Sequence, residues 1–224
     1  MSKRSRDQIL SRLHSADRSI ASPSAAPCSL TFKTLGRDEK IDRLKGLMEA
    51  VRTEVHVVGS QNWVEPLKVI LQKREIKTLL YAPQAPIGDT LKNHWPAEAD
   101  SEGLPQLVPY QGPLENFKDQ LFHMDAAITS TLGGIADSGA IILWPDENEP
   151  RLMSLVPPIH IAVLEVEKIY NTFSEAIETE NWPDKMPTNV VLISGPSKTA
   201  DIELTLAFGV HGPKELVVFI VRSN

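Results

Sequence analysis

A group of reactive side chains follows the apolar run that ends at Ser194, in the order Gly195, Pro196, Ser197, Lys198, Thr199, Ala200 and Asp201. A strand that ends in Gly-Pro before hydroxyl residues is typical of a helix start, where unpaired backbone N–H groups attract anions. The pattern predicts a helix over 200–208. It also predicts a site for a small anionic ligand formed by Gly195, Ser197, Lys198, Thr199 and Asp201. Alternatively, the hydroxyls only cap this helix and Asp201 complements its dipole.

A glycine-rich loop places a carboxylate and a hydroxyl beside each other, in the order Gly134, Ile135, Ala136, Asp137, Ser138 and Gly139. Asp137 is the candidate catalytic acid–base group, and Gly134, Ser138 and Gly139 are candidate ligand-binding residues. The glycine spacing differs from the dinucleotide-binding fingerprint. The alternative is a tight hairpin in which the glycines supply positive φ and the polar side chains make local turn bonds.

Histidines provide a third set of candidates. His211 lies in a Gly-rich connection and is predicted to bind ligand, although an ordinary helix stop also explains that connection. His160 falls inside an apolar run and is interpreted as a core or rim histidine. The histidines show no metal-ligand spacing, so no metal is predicted.

The elements that must position these residues alternate between apolar strands and amphipathic helices. Strands are predicted at 54–58, 77–81, 106–110, 124–129, 140–144, 159–164, 190–194 and 215–221, and helices at 37–53, 64–72, 116–122, 166–177 and 200–208. This alternation predicts an α/β fold with a mixed, mainly parallel sheet flanked by helices, and a hairpin excursion around 133–144. Because ligands favour the carboxyl ends of such strands, Asp137, Ser138, Ser197, Lys198, Thr199 and His211 are expected to face one cleft.

The first part of the chain is different in character. Residues 5–20 have the apolar spacing of a short amphipathic helix, and residues 21–27 form a linker of small residues and proline. We therefore predict an N-terminal helix and linker over 1–35 and one domain over 36–224. The N-terminal segment could also be an arm that reaches a partner.

Composition excludes several functions. The net charge of −6 argues against a nucleic-acid-binding surface, and no apolar run reaches the length of a membrane span. Cys28 is the single cysteine, so this chain alone cannot form a disulfide or hold an iron–sulfur cluster. The sequence therefore predicts a cytoplasmic protein without a cofactor of its own.

Three segments together resemble the LUD (lactate utilisation domain) family. They are the loop 134–139, the segment 151–162, and the Gly-Pro-Ser, Ala-Asp-Ile-Glu and Val-His-Gly-Pro elements between Gly195 and Pro213. The family commonly has Glu where this chain has Asp137, so a shorter carboxylate would have to do the same work. The resemblance covers the second half of the chain.

The resemblance implies a sugar-isomerase and coenzyme A-transferase-like fold and a place in a three-protein system that oxidises L-lactate to pyruvate. The implied partners are lactate utilisation proteins A and B, which carry the iron–sulfur clusters. Whether this chain is a catalytic or an accessory subunit of that L-lactate dehydrogenase complex stays open. The alternatives are a stand-alone enzyme for a phosphorylated or coenzyme A-linked small molecule and an assembly factor.

Overall fold

Helices and strands alternate in the computed structural model, which describes residues 3–15, 34–59, 63–96, 103–200, 206–209 and 211–222. The helices are α1 (Lys3–Ser15), α2 (Arg37–Ala50), α3 (Val64–Lys73), α4 (Gly88–His94), α5 (Leu114–Leu121), α6 (Phe173–Thr179) and α7 (Trp182–Lys185). The strands are β1 (Glu54–Gly59), β2 (Thr78–Tyr81), β3 (Gln106–Pro109), β4 (Ala126–Ser130), β5 (Gly133–Ile135), β6 (Ala140–Leu143), β7 (Ile159–Glu165), β8 (Ile169–Tyr170), β9 (Val191–Ile193), β10 (Lys198–Ala200), β11 (Leu206–Phe208) and β12 (Glu215–Arg222).

The chain divides into two units, Met1–Lys33 and Thr34–Asn224. In the first unit the structure describes the helix α1. The second unit contains the remaining described elements. Among the described residues, no helix combines the length and the apolar character needed to cross a lipid bilayer.

A six-stranded parallel sheet forms the centre of the second unit, in the order β1-β12-β7-β4-β2-β3. Its middle strands are apolar on both faces, because β7 is buried from Ile159 to Leu164 and β12 from Leu216 to Val221. Strands that are apolar on both faces need helices or another sheet packed against each face. The predicted α/β class with a mixed, mainly parallel sheet is confirmed.

Different elements cover the two faces of this sheet. On one face, α3 and α4 pack on a cluster that includes Leu67, Leu91 and Phe219. On the other face, α2 packs through Ile41, Leu44 and Met48. The helix α5 covers the same second face near β2 and β3 through a further apolar cluster.

A smaller four-stranded sheet, in the order β8-β5-β6-β9, adds to the cover on the second face. Its strands β5 and β6 form an antiparallel hairpin, which confirms the predicted excursion around 133–144. The strand β9 pairs with β6 and lies at the edge of this sheet, where Leu192 is exposed. The apolar run that ends at Ser194 is therefore only partly buried.

One predicted helix is wrong in its first part, and another is wrong in its described residues. Within 166–177, Val166–Lys168 is a short 3-10 helix and β8 follows it, pairing with β5. The helix α6 begins only at Phe173, because the hydroxyl of Thr172 accepts the N–H of Glu175 at 3.2 Å and caps it there.

Over 200–208 the structure has no helix in its described part, but an antiparallel pair formed by β10 and β11. Thr199 lies opposite Ala207 in this pair. The N–H of Gly209 donates to the carbonyl of Ser197 at 3.0 Å, next to the last pair of the ladder. Cross-strand hydrogen bonds of this kind take the place of the intrahelical bonds that a helix would have made.

Candidate functional site

A cavity of about 290 Å³ lies where β9 ends and where β7 and β12 begin. His160 and Leu216 are the second residues of β7 and β12 and are register partners in the parallel sheet. The cavity is lined by Ser154, Leu155, His160, Val191, Leu192, Ile193, Ser194, Gly195, Pro196, Ser197, His211, Gly212, Pro213 and Leu216. It therefore joins two segments that the sequence singled out, the Gly-Pro-Ser segment and the His-Gly-Pro segment.

The deepest polar group of this cavity is His160, whose side chain is 1% exposed. Its Nε2 lies 2.9 Å from the hydroxyl oxygen of Thr129 on the neighbouring strand β4. Its Nδ1 is buried and has no hydrogen-bond partner among the described residues. Burial lowers the pKa of His160 to about 4, so the imidazole is neutral at pH 7.

The Gly-Pro-Ser segment holds its shape through its own backbone. The N–H of Ser197 donates to the carbonyl of Pro213 at 2.9 Å, which ties this segment to the start of β12. Residues Lys198–Ala200 form β10, so the amides of 195–199 do not open a helix. The predicted helix-start geometry is therefore wrong. The assignment of Gly195, Ser197, Lys198 and Thr199 to ligand binding stays a prediction, and Asp201 lies outside the described residues.

The loop with Asp137 is the turn of the β5–β6 hairpin, as in the alternative that the sequence left open. Asp137 is half exposed and accepts a hydrogen bond from Nη2 of Arg43 on α2 at 3.2 Å. Gly139 has φ +64°, and a Cβ at this position would lie 2.4 Å from the Cβ of Leu47. Gly134 is buried in β5 against Leu44 and Leu164. The glycines of this loop thus let α2 approach the hairpin closely.

The cavity and the hairpin turn lie at different positions along the axis of α2. Gly195 packs against Val51, directly after the end of α2, whereas Asp137 pairs with Arg43. Eight residues of helix correspond to an axial distance of roughly 12 Å. Ser197 and His211 line the cavity, but Asp137, Ser138 and Lys198 are exposed and do not. The prediction that all these side chains face one cleft is wrong, while the catalytic role of Asp137 stays a prediction.

Sequence reasoning missed a partly buried carboxyl group, that of Glu149, at the carboxyl end of β4. The backbone N–H of Ser130 donates to Oε1 of Glu149 at 2.9 Å, and the hydroxyl of Ser130 donates to Oε2. Burial raises the pKa of the Glu149 carboxyl above its ordinary value, and the hydrogen bonds from Ser130 oppose this effect. Ser154 lines both the small pocket beside Glu149 and the cavity with His160.

The only sequence signal for His160 was a polar residue between Ile159 and Ile161 in an apolar run. A lone histidine in a strand usually packs in the core, so this signal favoured a structural role. Glu149 lies in a polar turn and gave no signal. In the ranges that the structure describes, no three His, Cys, Asp or Glu side chains group in a way that could hold a metal ion.

A second, more open cleft of about 830 Å³ lies beyond the carboxyl ends of β2 and β3. Its lining includes Gln84, Tyr110 and Gln111 from these strand ends, and Asp146 and Glu147 from the loop after β6. None of the described residues that line it is a lysine or an arginine. This charge disfavours phosphate and other polyanionic ligands at that position.

Comparisons with known proteins identify the family of this chain. The family model described as LUD domain matches residues 41–221. The chain belongs to the LUD domain family.

Several relatives match most of the chain. An uncharacterized protein of Neisseria meningitidis serogroup B is 36% identical over 98% of this chain and 94% of its own length. Lactate utilization protein C of Macrococcus caseolyticus is 36% identical over 88% of this chain and 84% of its own length. Lactate utilization protein C 1 of Bacillus mycoides is 29% identical over 90% of this chain and 87% of its own length.

A solved structure shares the fold. The crystal structure of a DUF162 family protein from Deinococcus radiodurans superposes with a TM-score of 0.62 at 20% identity. The match covers 84% of this chain and 99% of that chain. At this identity the similarity shows the fold alone.

Proposed function

We propose that this chain is a component of an L-lactate utilisation system, in which L-lactate is oxidised to pyruvate. The observation that carries this proposal is the near full-length similarity to lactate utilization protein C from two bacteria, together with the LUD domain match. Similarity over about nine-tenths of both chains favours a shared role over the reuse of a single motif.

The roles that we propose for this chain and for its partner subunits follow from the number of cysteines that a cluster needs. Oxidation of lactate to pyruvate removes two electrons and two protons, and an iron–sulfur cluster needs about four thiolate ligands. With Cys28 as its single cysteine, this chain cannot bind such a cluster alone. We therefore assign the electron-carrying clusters to partner subunits, lactate utilisation proteins A and B, and the binding of a small anionic ligand to this chain.

The alternative of a stand-alone enzyme for a phosphorylated or coenzyme A-linked molecule has less support. The open cleft at the carboxyl ends of β2 and β3 has an acidic lining, with Asp146 and Glu147. The cavity at His160, at about 290 Å³, is at the lower limit of ordinary ligand pockets and suits a ligand much smaller than coenzyme A.

Deletion of the gene in a host without a second lactate oxidase tests the proposal. We expect the strain to stop growing on L-lactate as sole carbon source and to grow normally on pyruvate. Re-expression of the wild-type chain should restore growth. Normal growth of the deletion strain on L-lactate would overturn the proposal.

Co-purification from the native host separates the subunit from the independent enzyme. We expect iron in the complex and none in this chain expressed alone, which should be colourless. A stoichiometric cluster in the isolated chain would contradict the assignment of the clusters to partners. Recovery of the chain without cluster-bearing proteins would favour the stand-alone enzyme.

A further inference from the structure

The buried imidazole of His160 has one ring nitrogen in use and one free. Its Nε2 meets the hydroxyl of Thr129 at 2.9 Å, and its Nδ1 has no partner among the described residues. An unpaired buried polar atom destabilises the folded state. Because His160 lines the cavity, a ligand bound there can supply the missing partner.

The hydrogen-bond pattern leaves Nδ1 unpaired in either tautomer of His160. Within the described part of the chain, the hydroxyl of Thr129 has no hydrogen-bond partner other than His160. If Nε2 carries the proton, the Thr129 hydroxyl hydrogen and the Nδ1 lone pair both stay unsatisfied. If Thr129 donates to Nε2, the Nδ1 hydrogen and the Thr129 oxygen lone pairs stay unsatisfied. Nδ1 therefore needs an acceptor in one tautomer and a donor in the other.

The other lining residues of the cavity limit which ligand could be the hydrogen-bond partner of Nδ1. Leu155 and Leu216 provide apolar wall, and Ser154, Ser194 and Ser197 provide hydroxyl groups. No lysine or arginine is present among the described lining residues, so the cavity does not suit a phosphate. The exposed His211 and Leu192 form its open side, where a single carboxylate can keep part of its water.

We propose that His160 is a ligand-binding residue whose Nδ1 forms a hydrogen bond with the oxo or hydroxyl oxygen of a small 2-oxo or 2-hydroxy monocarboxylate in this cavity. Nδ1 donates to an oxo oxygen in one tautomer and accepts from a hydroxyl in the other. The short apolar part of the ligand packs on Leu155 and Leu216, and its carboxylate faces the side with Ser197 and His211. The choice of this acid class rests on the proposed function. The unpaired nitrogen and the cavity do not depend on it.

The full chain with 15N-labelled histidine tests the proposal by nuclear magnetic resonance. Long-range proton–nitrogen correlations report the tautomer of each imidazole, and loss of one signal set in a His160 variant assigns His160. Titration with pyruvate, L-lactate, 2-oxobutyrate and glycolate should shift the His160 signals saturably for at least one acid, with the larger change at Nδ1. No shift with any of the four acids, or a shift confined to Nε2, would overturn the proposal.

Two substitutions separate the two ring nitrogens. The amide of His160→Asn lies near the position of Nδ1, and that of His160→Gln lies near the position of Nε2. We expect His160→Gln to weaken binding by about tenfold or more, the equivalent of about 1.4 kcal/mol, and His160→Asn to bind more tightly than His160→Gln. Equal affinities in two variants that keep a cooperative thermal transition would contradict the proposal. If either variant fails to fold, the wild-type titration decides.

The outcome also distinguishes this inference from the proposed function. If 2-oxobutyrate or glycolate binds at His160 and neither pyruvate nor L-lactate does, the site is correct and the role in lactate oxidation is wrong. If deletion blocks growth on L-lactate but no acid shifts His160, the function stands and this site is wrong.

Discussion

His160 is a histidine buried in the core of the second unit. It lies beside Thr129 with its side chain buried, and it cannot gain a proton without a loss of stability. The burial that lowers its pKa keeps the imidazole neutral at pH 7. The proposed ligand-binding residue is therefore also a core residue.

Stability should depend on pH through His160. Its pKa is about 4 in the folded state against 6.5 for an unperturbed histidine, so the unfolded chain binds more protons between these values. Stability is therefore complete above about pH 6.5 and falls as the pH drops towards 4, by on the order of 3 kcal/mol from this group. Urea unfolding of the wild type and of His160→Gln at pH 7.5, 6 and 5 measures the difference.

Glu149 changes the free energy of unfolding with pH in the opposite direction to His160. Its raised pKa means that the folded state holds a proton longer, so its contribution to stability falls as the pH rises from about 4.5 through the folded pKa. Because Glu149 is present in both proteins, the difference between wild type and His160→Gln isolates the histidine. A difference that does not change with pH would contradict the assignment to His160.

Asp137 is tested by removing its charge. Its ion pair with Arg43 is exposed, so Asp137→Asn should change the free energy of unfolding by less than about 1 kcal/mol. Because Asp137 is the candidate catalytic group, we expect Asp137→Asn to abolish growth on L-lactate. The control Arg43→Gln removes the same ion pair, keeps the carboxylate and should grow. Normal growth of Asp137→Asn would show that this residue only shapes the turn.

At the scale of elements, the contact between α2 and the β5–β6 hairpin organises the second face of the large sheet. The hairpin turn and the segment after β9 each place a glycine against this helix or its end, Gly139 on Leu47 and Gly195 on Val51. A side chain at either position would push the elements apart. The contact of Gly195 with Val51 therefore fixes the position of the cavity residues after β9 relative to the end of α2.

Two glycine-to-alanine substitutions test this contact. In Gly139→Ala, the new Cβ would lie 2.4 Å from Leu47 at a positive φ, so we expect a loss of about 2 kcal/mol or more. In the control Gly46→Ala, on the exposed side of α2, the Cβ meets nothing within 4 Å and the higher helix propensity should add up to about 1 kcal/mol. Chemical denaturation measures both. Equal effects of the two substitutions would contradict the close approach.

At the scale of the whole molecule, the second unit carries both larger sheets and all four apolar clusters. A unit that buries a core of its own can fold alone. The domain boundary predicted near residue 35 is therefore open to a direct test, and the first unit is expected to be dispensable for folding.

A chain that starts at Thr34 should keep a cooperative thermal transition. We expect its midpoint to lie within about 4 °C of that of the full chain, a shift equivalent to about 1 kcal/mol for a domain of this size. Differential scanning calorimetry of the two proteins measures this. A larger drop would mean that the first unit stabilises the second and that the domain boundary is misplaced.

Much of the architecture was predictable because local patterns carry it. The apolar runs at 159–164 and 215–221 are strands at the centre of the sheet, and the glycines around Asp137 do form a hairpin. A single cysteine limits cofactor chemistry whatever the fold is. These features depend on composition or on neighbours within a few residues, which the sequence displays directly.

The tertiary structure decided what depends on distant partners. The residues after Pro196 suggest a helix start, but in the described residues Lys198–Ala200 pairs with Leu206–Phe208 as antiparallel strands. The free nitrogen of His160 exists because β4 brings Thr129 to its other nitrogen and because β9 and β12 lie around it. Thr129 is 31 positions from His160 along the chain, and a local pattern holds no information about such distant partners.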